Sequence, residues 1–135
     1  MAYKIEQIEG IGKTYGAKLR DAGIITVAQL LKAAGEARSR RALAASTGLD
    51  EDRLLEWVNR ADLMRIKGIG TQYSDLLEAS GVDTVKELRT RNAANLAARM
   101  AEVNAQKKLT RAVPAEKMVA GWIEQAKVMA PAVSH

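Results

Sequence analysis

Residues 9–16 read EGIGKTYG, and residues 67–74 read KGIGTQYS. The same Gly-Ile-Gly turn, followed three residues later by tyrosine, occurs twice in one short chain. Working outward from these turns, an offset of 58 residues (Gly10 to Gly68) also pairs Ile8 with Ile66, Leu19 with Leu77 and Gly23 with Gly81. Thr26, Val27 and Leu30 meet identical residues at Thr84, Val85 and Leu88. Agreement of this density marks a tandem duplication of a unit of about 60 residues, because self-similarity at a fixed period is the signature of repeated architecture.

Each copy reads as helices. Ile5 and Ile8 lie one turn apart on a short helix, the Gly-Ile-Gly turn reverses the chain, and Tyr15, Leu19 and Ala22 share a face of the next helix at helical spacing. Gly23 stands where a helix end favours positive φ. Thr26 with Gln29, and Thr84 with Glu87, have capping-box spacing. Gly35 and Gly48 read as further helix stops, and Asp50 as the N-cap of a long helix reaching about Met64 and continuing into the first helix of the second unit. No strand is expected. LLEWVNRADLM at 54–64 aligns with VAGWIEQAKVM at 119–129, pairing Trp57 with Trp122 at an offset of 65. The seven extra residues fall near the basic stretch NAQKKLTRAVP, with Pro114 expected to open the last helix.

Composition narrows the classes. Hydrophobic residues make up 47% of the 135, yet Phe is absent and there are two prolines, so the core must be aliphatic and suits packed helices. Without cysteine there are no disulfides, thiolate metal sites or thiol nucleophiles. The only histidine is the last residue, and no metal-ligand spacing, P-loop or Ser/His pairing occurs, so neither catalysis nor a cofactor or metal is expected. MAYKIEQIEG has no apolar leader core and no run is long enough to span a bilayer, so a cytoplasmic chain without membrane association is expected. The net charge of +5 is compatible with a polyanionic partner but does not identify one.

A helix, a Gly-hydrophobic-Gly turn and a second helix with Leu seven residues after the second glycine resemble the helix-hairpin-helix motif, in both IEQIEGIGKTYGAKLRDAGI and LMRIKGIGTQYSDLLEASGV. Nearly the full chain resembles a bacterial family of tandem helix-hairpin-helix units called domain of unknown function four-three-three-two. The resemblance implies an all-α fold of two such units (SAM-like helical bundles), residues 1–61 and 62–135, packed as one pseudo-two-fold body. It also implies sequence-independent grip on a DNA backbone, because glycines admit close approach and the amides at a helix N-terminus carry its positive dipole end. Carried over by position, the donors are the amides of Gly10, Gly12 and Lys13 and of Gly68, Gly70 and Thr71, with charge from the Lys13 and Lys67 side chains. Where the DNA-binding form has proline before the first glycine, this chain has Glu9 and Lys67.

Two readings stay open. Arg38, Arg40 and Arg41, with Lys107, Lys108 and Arg111, can track a phosphate backbone or merely solvate helix ends. The turns themselves can be purely structural, with Ile11 and Ile69 plugging the core. In that case Leu76, beside Tyr73 and Leu77, widens an apolar face toward another protein or a second copy, and the chain is an assembly module without nucleic-acid binding.

Overall fold

The computed structural model describes residues 3–135; Met1, where the first expected unit begins, and Ala2 lie outside the described residues. Contacts divide the chain into two compact units, residues up to Asp62 with Ala132–His135, and Leu63–Pro131. Among the described residues all regular structure is helical, apart from one isolated bridge between Lys4 and Thr26.

In the first unit a 3₁₀ turn, Ile5–Gln7, leads through Gly10-Ile11-Gly12 into α1 (Gly12–Asp21). Leu19 of α1 is buried, but Ala22, expected on the same face, is exposed, and Gly16 is buried in its place. The side chain that occupies this space is Glu6: a Cβ on Gly16 would stand 2.9 Å from its carboxylate. That carboxylate accepts two hydrogen bonds of 2.7 Å from Arg20, which hold its pKa below the ordinary glutamate range.

Helix α1 ends as its sequence promises. Gly23 has φ +85, its amide donates to Arg20 O (2.9 Å), and the Ile24 amide donates to Leu19 O (2.9 Å). This is a Schellman closure, and Ile24 and Leu19 are both buried beneath it. Thr26 then caps α2 (Val27–Ala34): its hydroxyl accepts from the Gln29 amide and Gln29 returns the bond, both at 3.1 Å. Helix α3 (Ala37–Thr47) ends at Gly48 with φ +74, and α4 (Glu51–Leu63) follows, with the Asp50 carboxylate accepting from the Asp52 amide at 3.4 Å. Ile5, Ile8, Ile11, Leu30, Leu54 and Trp57 are among the buried side chains of this unit.

The second unit repeats the order with α5 (Thr71–Ala79), α6 (Val85–Leu88), α7 (Ala93–Lys107) and α8 (Glu116–Lys127). No separate helix precedes its glycine turn; α4 stops at Leu63 and turns carry the chain to Gly68. Gly81 has φ +94 and closes α5 by the same two bonds, Gly81 N to Glu78 O and Val82 N to Leu77 O. The capping box at Thr84 is half made: its hydroxyl accepts from the Glu87 amide (3.3 Å), while the Glu87 carboxylate lies 3.5 Å from Arg91. Pro114 precedes α8 by two residues rather than opening it, and is buried. The added length sits at the end of α7, which has 15 residues against 11 in α3, and in the loop that follows.

Two expectations about surfaces are corrected here. Leu76 is fully buried in the second unit's cluster with Ile69, Leu77, Val85, Leu96 and Trp122, so it offers no partner an apolar face. Arg40 is 3% exposed rather than a free surface cation. Its guanidinium donates to Ala34 O (3.1 Å) and Gly35 O (3.0 Å), capping the carbonyl end of α2, and to Ser134 O (2.7 Å). Segment 132–134 is strapped onto the α2–α3 corner by these contacts. The Ser134 amide donates to Gly35 O (2.9 Å), and its hydroxyl accepts from the Ala37 amide (2.8 Å). Gly35 is therefore less a stop than a clearance, since its backbone is ordinary αR but a Cβ would stand 2.4 Å from Ala132 O.

Candidate nucleic-acid interface

Each glycine turn begins the same way. In the first, the Ile8 amide donates to Ile5 O and the Ile11 amide to Ile8 O; in the second, Ile66 donates to Leu63 O and Ile69 to Ile66 O. Ile11 is 1% exposed and Ile69 is fully buried, so the central isoleucine plugs the core as one reading required. Gly10 and Gly68 have φ +93 and +101, a region closed to most side chains.

The turns then diverge. Gly12 has φ +59, whereas Gly70 has φ −111 and ψ −156 and serves as the N-cap of α5. An identical tripeptide is thus built in two backbone forms. Among the described residues no backbone carbonyl accepts from the amides of Gly10, Gly12, Gly68 or Gly70. The Lys13 amide lies in the first turn of α1, where no intrahelical acceptor exists. Thr71, half-buried at the start of α5, has partners of its own.

An aromatic pair backs each turn. The Tyr15 and Trp57 rings lie 5.2 Å apart at 55°, and the Tyr73 and Trp122 rings 5.2 Å apart at 54°. Tilted contacts at this separation follow from the ring quadrupoles. Both tyrosines are half-buried and both tryptophans are 2% exposed. The offset of 65 between the two tryptophans in sequence is therefore an equivalence in structure.

The charged residues sort less simply. Lys13 and Lys67 are exposed at their turns, and Glu9 is exposed beside the first. Sequence reasoning missed Arg53, whose guanidinium carbon lies 5.3 Å over the Tyr15 ring. Its signal was present: Arg53 stands one helical turn before Trp57. Also missed was Gln125, whose side chain accepts from the Lys67 amide (2.9 Å) and donates to Lys67 O (3.1 Å), fixing the second turn. A partner 58 residues away leaves no local trace.

The loop carrying Lys108 and Arg111 is fastened close to the second turn. Lys108 ends α7 in the left-handed region (φ +53), the counterpart of Gly48. The Asn104 side chain bridges the Thr110 backbone at 2.9 and 3.1 Å, and Tyr73 Oη donates to Ala112 O at 3.3 Å. Arg111 is thereby held beside the tyrosine that follows Thr71 in the first turn of α5, with Lys107 and Lys108 exposed at the end of α7. Arg38 and Arg41 are exposed on α3 but are not brought to the first turn. Ser39 between them lines a groove with Ala22, Gly23 and Gln29, beyond the far end of α1, which at ten residues is about 15 Å long.

Among the described residues no group of His, Asp or Glu could hold a metal ion, and no helix is long and apolar enough to cross a membrane. These observations define an all-helical protein with two glycine turns, each opening a helix and each backed by a tyrosine–tryptophan pair. Residues 9–129 match the model of the family described as Domain of unknown function (DUF4332), and the chain belongs to that family. Neither the curated proteins nor the solved structures include a significant match to it.

Proposed function

We propose that the two turns are helix-hairpin-helix motifs and that the protein is a non-enzymatic module holding the phosphate backbone of double-stranded nucleic acid without reading its sequence. The observation that carries this reading is the set of turn amides without backbone acceptors, at Gly10 and Gly12 and at Gly68 and Gly70, leading into helices of ten and nine residues. Donors so placed meet a phosphate oxygen at the positive end of the helix dipole. Lys13 and Arg53 supply charge at the first turn, and Lys67 and Arg111 at the second. Arg40 has no part in binding, and Arg38 and Arg41 add only general positive charge. The competing assembly reading loses its main support with the burial of Leu76.

Charge reversal at the first turn tests the proposal. Glu9 is exposed next to Gly10 and opposes an approaching phosphate. Glu9→Lys should therefore tighten binding to a mixed-sequence duplex about tenfold, on the scale of charge-assisted hydrogen bonds. Asp21→Lys adds the same charge at the far end of α1 and should gain much less. Gel-shift titrations of both variants decide it, and equal gains would remove the turn from the interface.

A further inference from the structure

Each indole carries a single N–H, and neither Trp57 nor Trp122 has a hydrogen-bond acceptor among the described residues. Both side chains are only 2% exposed. Neither indole nitrogen is among the fully buried side-chain atoms that lack a partner, so each N–H reaches the surface from a ring that is otherwise buried. Packing alone does not call for a donor there, since phenylalanine would fill much of the same space against Tyr15 or Tyr73.

The position of the nitrogen is specific. At Gly10 the atom nearest to where a Cβ would stand is Trp57 Nε1, at 3.6 Å; at Gly68 it is Trp122 Nε1, at 3.0 Å. In both units the indole nitrogen, rather than a ring carbon, faces the first glycine of the turn. The tilted tyrosine against the ring restricts its rotation, which keeps the N–H at the turn. Absence of a side chain on the glycine leaves the space between that N–H and the turn unfilled. The same arrangement arises in two units whose turns differ at the second glycine, so it does not depend on one local backbone form.

We propose that Trp57 and Trp122 each donate the indole N–H to the oxyanion held at the adjacent glycine turn, a phosphodiester oxygen of the nucleic-acid backbone. This rests on the reading of the turns as backbone-phosphate sites and adds a side-chain donor to their amides. The tryptophans are then ligand contacts as well as core residues, and Tyr15 and Tyr73 are positioning residues that orient them.

The protein has two tryptophans, so its ¹H–¹⁵N spectrum carries two indole signals, one for each turn. On titration with a mixed-sequence DNA duplex, both indole N–H signals should move downfield together with the amides of Gly10, Gly12, Gly68 and Gly70. Trp57→Phe should weaken duplex binding about fivefold, the scale of one net hydrogen bond, measured under conditions where the variant is fully folded even though its lost ring packing lowers the urea midpoint. If the glycine amides move and the indole signals do not, the tryptophan role is overturned while the turn reading stands. If neither set moves at saturating duplex, both are overturned. Should Trp57→Phe fail to fold, the indole shifts of the wild-type chain decide the matter alone.

Discussion

Replacing Gly68 with valine is expected to lower the unfolding free energy by about 3 kcal/mol, combining strain at a forbidden φ with too close an approach of the new side chain to the indole. The backbone stands at φ +101, where a β-branched residue has no comfortable conformation, and the new Cβ would arrive 3.0 Å from Trp122 Nε1. Trp122 cannot retreat, because it is 2% exposed and packed against Tyr73. Gly10→Val meets Trp57 at 3.6 Å and should cost less than Gly68→Val. Gly12→Ala, whose Cβ would meet nothing within 4 Å, should show only the left-handed penalty of about 1 kcal/mol. Urea unfolding followed by tryptophan fluorescence gives this ranking, and a Gly68→Val variant as stable as wild type would contradict the turn geometry.

Arg40→Ala should cost about 3 kcal/mol, because in a buried corner Ala34 O and Ser134 O would lose the guanidinium donor and Gly35 O would keep only the Ser134 amide. The strap should loosen as well. Hydrogen exchange at the Ala37 amide, which donates to the Ser134 hydroxyl, should accelerate even where the rest of the fold persists. Duplex affinity, measured on the folded fraction, should stay unchanged, which separates Arg40 from the binding cations. A loss of affinity with no loss of stability would restore Arg40 to the interface and contradict its burial.

How much of this was legible depended on whether the determining contacts were local or repeated. The helix ends at Gly23, Gly48 and Gly81 were readable because a left-handed C′ residue is a local requirement with a strong glycine preference. Trp57 and Trp122 were readable as equivalents because duplication printed them twice. Arg40 was misread because RSRR at 38–41 presents four polar residues in a row, and only the carbonyl end of α2 and the strap explain why one of them turns inward. Leu76 was misread for the opposite reason: a leucine at the position where the first copy has Lys18 implies an exposed patch only if both helices bury the same arc. The divergence of Gly12 and Gly70 left no mark in their shared tripeptide. The surroundings of the two turns also differ in side-chain type, since Gln125 grips the residue before Gly68 and the equivalent position at an offset of 65 is Arg60. The candidate site was thus half legible: the glycines and lysines could be named, but Arg53, Gln125 and the indole nitrogens lie in tertiary contacts.

The most direct measurement of the central claim is the affinity of the wild-type chain for mixed-sequence duplex DNA across a series of salt concentrations. Backbone grip by a handful of phosphate contacts predicts micromolar or weaker binding at physiological salt, with log affinity falling linearly against log salt at about −0.9 per contact. Affinities for duplexes of different sequence should fall on one line. Absence of binding at the lowest salt, or a sequence-dependent affinity insensitive to salt, would contradict the assignment of the glycine turns to phosphate.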